Sequence, residues 1–272
     1  MLHTAGKVWP IMICKEIIEK LEEIAPISYA ENWDNVGLLV GRKNKPVQKI
    51  MVALDATDSV IEQAVKAEVD LLITHHPMIF SPMKKITEDD FIGRRVIALL
   101  RADISYYAMH TNYDVCVMND KAAEKLGLQV EDILEPVKEA DGEWKGIGKV
   151  GILSKPSTVE ELAEKIKKVF QISDVRITGE ANRKVEKIAI STGSGKSMMK
   201  LALEKGAQVL ITGDMDHHTV IDALDQGMQI IDAGHYGTEH FMVHEVAAYL
   251  EEQFSSRVKV ICATEDNPFT VL

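Results

Sequence analysis

Residues Lys49–Thr74 align with Lys187–Thr212 at a constant offset and without a gap. Lys49-Ile50 falls on Lys187-Ile188, and Leu72-Ile73-Thr74 falls on Leu210-Ile211-Thr212. Each copy reads as strand, helix, strand. Short apolar runs bounded by turn residues make the strands, and apolar residues at helical spacing make the helix. Self-similarity of this kind predicts two related α/β halves. Further on, His110-x-x-x-Asp114 matches His235-x-x-x-Glu239, again after an apolar run and with a shorter spacer. Shared βαβ grammar explains much of the first match. It does not explain a histidine and a carboxylate at one spacing, which favours duplication.

The first copy ends in Leu71-Leu72-Ile73-Thr74-His75-His76-Pro77. Side chains alternate faces along a strand, so adjacent histidines share a site only where the strand has stopped. Pro77 cannot donate to a ladder and restricts His76 to extended or turn geometry. The strand end is also where open α/β sheets place their chemistry. The bland alternative is a satisfied polar strand end.

The 272 residues allow one large or two modest domains, and 46% hydrophobic content is enough for a sizeable core. No apolar run approaches the roughly 18 residues of a membrane span. The first dozen residues carry no secretory leader pattern and no clear periodicity. Cys14, Cys116 and Cys262 are widely spaced, form no CxxC, and suggest a reducing, cytoplasmic setting. A net charge of −11 argues against a general nucleic-acid or anionic-membrane surface. The polar, turn-rich stretch at Asp141-Gly142 suggests a boundary between a first half, 13–140, and a second, 141–272.

Strand-end residues pool to His75, His76, Asp114, His235 and Glu239, with His110 beside them. Imidazoles and carboxylates in this mix suit Zn, Fe, Mn or similar divalent ions. Five ligands exceed one closed tetrahedral site and fit two metals about 3.5–4 Å apart. Gly193-Ser194-Gly195-Lys196-Ser197 resembles the tail of a phosphate-binding loop, but Ile190 stands where that motif needs glycine. A backbone nest at Gly193, Ser194 and Gly195 for a substrate phosphate is the better candidate, against a plain tight turn. His217, near Thr212-Gly213-Asp214, is a candidate cavity residue with Asp214. His240 and His244 have ligand spacing but face away from Glu239, about 100° round the helix. Trp33-Asp34-Asn35 reads as a turn that either shapes a cavity rim or does nothing more.

Trp33-Asp34-Asn35-Val36-Gly37-Leu38, Thr74-His75-His76-Pro77, His110-Thr111-Asn112-Tyr113-Asp114, Gly193-Ser194-Gly195, Thr212-Gly213-Asp214 and Gly234-His235-Tyr236-Gly237-Thr238-Glu239 occur in one order. In this the chain resembles the Nif-three-like dinuclear-metal proteins, often labelled GTP cyclohydrolase I type 2. The resemblance runs from Cys14 onward. It implies two interlinked, pseudo-symmetric α/β domains with mixed sheets, assembled as a homo-hexamer. It implies two divalent ions per subunit. His76 and Asp114 would serve one ion, His75 and His235 the other, and Glu239 would bridge. His110 would orient a ligand. The implied activity is hydrolysis of a small nucleotide-like substrate, such as ring opening of GTP, with His110 or His217 carrying a proton. A non-catalytic metal-binding scaffold or regulatory protein is the alternative. Some relatives carry an inserted domain that the Asp141 region is too short to hold.

Overall fold

The computed structural model describes residues 11–140 and 142–271, so the N-terminal extension up to Pro10 and Asp141 itself lie outside it. The first elements are α1 (Cys14–Ile24), β1 (Gly37–Val40), β2 (Lys49–Ala53), α2 (Asp58–Lys66), β3 (Leu71–Thr74), α3 (Phe91–Arg101) and β4 (Ser105–Ala108). Then come α4 (Thr111–Tyr113), a π-helical turn (Asp114–Met118), α5 (Asn119–Leu126), β5 (Leu128–Ala140), β6 (Glu143–Thr158) and α6 (Val159–Phe170). The remainder is β7 (Arg176–Ile177), β8 (Lys184–Ser194), α7 (Met198–Glu204), β9 (Val209–Gly213), α8 (His217–Asp225), β10 (Gln229–Asp232), α9 (His235–Glu239), α10 (Phe241–Phe254) and β11 (Lys259–Cys262).

The chain divides into two units and passes repeatedly from one to the other. The first takes the described residues of Met1–Glu23, with Trp33–His110 and Val243–Glu265; the second takes Ile24–Asn32, Thr111–Met242 and the described residues of Asp266–Leu272. Each holds one mixed sheet. In the first the order is β1-β4-β3-β2-β11, parallel except for β1. In the second it is β5-β6-β8-β9-β10-β7, with β8, β9 and β10 parallel and the rest antiparallel.

Parallel strands covered on both faces must be apolar throughout. All four residues of β3 are accordingly buried, as are all of β9. On one face of the first sheet, α2 contributes Val60, Ile61 and Ala64 to a core shared with Val96 and Leu99 of α3. In the second unit, Met198 and Ala202 of α7 and Ala223 of α8 pack with Ala189, Leu210 and Ile230. Thr158 caps α6 through the reciprocal capping box expected from Thr158-Val159-Glu160-Glu161. Thr158→Ala is expected to lower stability by about 0.5–2 kcal/mol, read from thermal unfolding.

The two βαβ copies share one register. Ile50 pairs with Leu71 and Val52 with Ile73; at the repeat offset, Ile188 pairs with Val209 and Ile190 with Ile211. One side-chain clasp recurs as well. Asp70 Oδ2 accepts from the N–H groups of Gln48 and Lys49, and Gln208 Oε1 accepts from those of Glu186 and Lys187. The repeat is therefore real at the level of hydrogen bonds.

The histidine–carboxylate match is not. Met109 N–H donates to Thr74 O, and Ala233 N–H donates to Thr212 O, which makes Met109 and Ala233 equivalent. Helices then begin at Thr111 and His235. His235 thus occupies the place of Thr111, His110 that of Gly234, and Asp114 that of Thr238. The two copies put different positions to use in similar chemistry.

The turn at Gly142 closes a long hairpin. Ala140 pairs with Glu143 and Leu128 with Leu153. Both arms belong to the second unit's sheet, within the long segment of that unit that begins at Thr111. Strand β5 escapes detection in the sequence because it is polar and contains Pro136. Both features are tolerated where a strand lies at a sheet edge, which is where β5 lies.

Candidate metal centre

In the first unit, β3 stops at Thr74 and the chain bends through His75 and His76. Thr74 Oγ1 donates to His76 O at 2.8 Å, and Tyr106 Oη donates to the same oxygen at 3.1 Å. Met78 N–H donates to Tyr106 Oη at 2.8 Å. This clasp turns both imidazoles to one side, with ring centroids 4.8 Å apart. His110 follows β4 and joins them at 5.2 and 5.5 Å. Ligand nitrogens of His75, His76 and His110 lie within 4.8 Å of one another.

Each ring is held by the nitrogen facing away from that cluster. His75 Nδ1–H donates to Met109 O at 2.9 Å. His76 Nδ1–H donates to Asp55 Oδ1 at 2.9 Å, and His110 Nδ1–H to Asp34 Oδ1 at 2.9 Å. An acceptor at Nδ1 fixes the proton there and leaves the Nε2 lone pair for a metal. Asp55 is set in turn by Glu265, which accepts from the N–H groups of Leu54 and Asp55 at 2.7 and 3.0 Å. Burial pushes the Glu265 carboxyl up from the usual range, opposed by those two N–H donors.

In the second unit, Gly234 precedes α9 at φ +75°, and His235 and Glu239 stand one turn apart on that helix. His235 Nδ1–H donates to Asp214 Oδ2 at 2.8 Å, so this ring follows the same rule, and its Nε2 lies 3.1 Å from Glu239 Oε2. Glu239 is buried. A carboxylate out of water requires a cation or donors around it. Oxygens of Asp114 and Glu239 lie within 4.8 Å of each other. Asp114 opens the π-helical turn. Such turns recur at functional sites because they re-aim a side chain. Asn119 braces it, donating to Asp114 O at 3.1 Å and accepting from Thr192 N–H at 3.2 Å.

The residues beside Glu239 are glycines for reasons of space. A Cβ on Gly193, which has φ +66°, would land on Glu239 Oε1. A Cβ on Gly195 would land on Thr212 Oγ1, and one on Gly213 would come within 2.5 Å of Gly234 C and His235 N. Gly193 N–H donates to Thr238 Oγ1 at 2.9 Å and Gly195 N–H to Gly213 O at 3.3 Å. The turn does not offer those two N–H groups to an anion. Its glycines let β8 approach α9.

A sequence model of the Duf34/NIF3 (NGG1p interacting factor 3) family matches residues 12–268. The chain belongs to this family. It is 38% identical over 261 residues to a GTP cyclohydrolase 1 type 2 homolog of Clostridium perfringens, covering 95% of this chain and 99% of that one. A Methanocaldococcus jannaschii protein of the same name is 34% identical over 252 residues, covering 91% and 98%. Among solved structures, a Bacillus cereus protein related to NIF3 superposes with a TM-score of 0.89 at 26% identity, covering 96% and 99%. Reduced HcgD from Methanocaldococcus jannaschii superposes at 0.79 with 34% identity, covering 92% and 97%. The match to the Bacillus subtilis relative runs over 368 positions, more than this chain's 272 residues, so that relative carries residues this chain lacks.

In this NIF3-family chain the candidate donors expected from the sequence fall in groups that could hold a metal ion. The first unit brings His75, His76 and His110 together, and the second brings Asp114, His235 and Glu239 together. Asp214 orients His235, as a residue behind a ligand does. His217 does not join it: it is exposed at the start of α8, where the capping residue is Asp216. Asp214 and His235 instead border a cavity of about 370 Å³ with Arg176, Asp232, Tyr236 and Phe269. His240 stacks on Tyr236 and His244 Nδ1 lies 3.6 Å from Cys262 Sγ, so neither belongs to the donor set. Asp34, read as a rim residue, has its side chain fully buried against His110. Asp55 was missed, although a carboxylate at the end of the strand beside β3 is a visible signal. Asp55→Ala is expected to weaken metal binding about 10- to 100-fold, with the folded fraction unchanged because the side chain is half exposed. Titration of metal-free protein by calorimetry measures it.

Proposed function

We propose that this protein is a metal-dependent hydrolase with two divalent ions held by His75, His76, Asp114, His235 and Glu239, acting on a nucleotide-like substrate. The observation that carries this reading is the shared arrangement of the rings: His75, His76 and His235 each have Nδ1 fixed and Nε2 left to coordinate. Imidazole nitrogens and carboxylate oxygens fit Zn, Fe or Mn.

Burial divides the ligands differently from the pairing that the resemblance implies. His75 is fully buried and Asp114 Oδ1 is buried, whereas the side chains of His76 and His235 are 23% and 35% exposed. On that division His75 and Asp114 would hold an inner ion and His76 and His235 an outer one, with Glu239 available to both. Bound there, two ions would supply Lewis-acid polarisation of a carbonyl or phosphoryl oxygen and would lower the pKa of water. His110, steered by Asp34, presents Nε2 beside the ligand rings and moves the proton; His217 drops out as exposed. The relatives' name, GTP cyclohydrolase 1 type 2 homolog, makes GTP the first substrate to test.

Purified protein with its metal measured is incubated with GTP and with a panel of nucleotide phosphodiesters. Turnover that disappears in Glu239→Ala supports the hydrolase. No turnover on any of them, with metal fully bound, overturns it in favour of a metal-binding scaffold. We also carry assembly as a cytoplasmic homo-hexamer as part of the proposal. Light scattering should then report six times the 30.3 kDa chain mass.

A further inference from the structure

The Trp33-Asp34-Asn35 turn does more than hold His110. The side chain of its middle residue is fully buried on that ring, yet Trp33 beside it is 58% exposed. The indole stands edge-on to His110 with centroids 6.0 Å apart, and 5.8 Å from the ring of Phe80, itself 53% exposed. Scattered exposed apolar residues need no explanation. Two large rings in contact with each other, one of them against a histidine of the candidate metal cluster, do.

Nor are these rings on loose loops. Asn35 Nδ2 donates to Ile79 O at 2.5 Å, which ties the tryptophan turn to the phenylalanine loop. That loop is anchored again where Met78 N–H meets Tyr106 Oη. Beyond Phe80, Met78, Ile79, Met83, Phe91 and Ile92 border a recess of about 400 Å³, within the range of small-ligand sites. Rigid aromatic residues bind flat ligands at low entropic cost.

The geometry points to Trp33 and Phe80 as a stacking surface that receives the purine ring of the substrate beside the metal centre. This deepens the hydrolase reading and rests on it. The test uses full-length protein carrying Trp9→Phe and Trp144→Phe, so that Trp33 is the one indole left among the three tryptophans. With metal loaded, guanosine monophosphate should quench its fluorescence, and ribose 5-phosphate, which lacks the ring, should not. Trp33→Ala should weaken guanosine monophosphate binding about 10- to 100-fold by equilibrium dialysis, as loss of a base–aromatic stack does. Trp33→Phe should restore most of it, Phe80→Ala should weaken it in the same direction, and metal content should be unchanged throughout.

Absence of quenching, or binding to Trp33→Ala as tight as to wild type, overturns the assignment. So does a change of oligomeric state in Trp33→Ala without any change in nucleotide binding, which makes the surface a contact between copies of the chain. Quenching needs no turnover. Quenching in a protein that hydrolyses nothing therefore keeps the stacking surface and rejects the hydrolase; turnover of GTP with Trp33→Ala unaffected does the reverse.

Discussion

Glu239→Ala is expected to lose more than about 100-fold in metal affinity, beyond the 10- to 100-fold typical of residues that only orient a ligand. Glu239 is buried, one helical turn from His235, and shares the second unit's donor cluster with Asp114. If Glu239 bridges two ions as proposed, its loss would remove a ligand from each. The sign of the stability effect separates this from simple damage. An ion that binds the folded state alone stabilises it by about 2.7 kcal/mol at 100 times its Kd. Wild type should therefore melt at a higher temperature with added metal. The variant should not respond. A variant that still gains stability from metal as wild type does contradicts the bridging role.

Gly193→Ala is the second large effect, and it acts on the same carboxylate from outside. Gly193 has φ +66°, where an L residue is strained by roughly 1–2 kcal/mol. The added methyl would also land on Glu239 Oε1. Relief requires Glu239 to move away from the metal position. The variant should lose both stability and metal affinity. Gly206→Ala is the matched control: φ is +74°, and nothing lies within 4 Å of the added Cβ. It should lose stability alone. Equal metal affinity in the two variants, measured by calorimetric titration, would show that Gly193 matters only for its backbone angle.

The candidate donors could be picked out of the sequence because they sit at strand ends, and strand ends are marked by where apolar runs stop. His75-His76-Pro77 and Gly234-His235 both carry that mark. The βαβ repeat was legible for the same reason, down to a register that the hydrogen bonds share. What orients the donors was harder to see. Met109 holds His75 through a backbone carbonyl, which any residue supplies. Asp55 lies far from His76 in sequence and meets it only because β2 and β3 are neighbours. The apparent kinship of His110 with His235 misled for an instructive reason. His110 stands just before its helix whereas His235 opens α9, an offset of one residue that a spacing count cannot detect. The resemblance of Gly193-Ser194-Gly195 to a phosphate loop had a similar origin, since glycine is required wherever backbone or a buried carboxylate comes close, whatever the purpose.

The central claim is that donors from both units hold two ions together. Crystals of protein purified with its native metal, recorded at the absorption edge of that metal, test it directly. Two anomalous peaks about 3.5–4 Å apart are expected, with His75 and His76 on different ions and Glu239 within bonding distance of both. A single peak, or peaks at the exposed His217 and His218 with none beside Glu239, would contradict it.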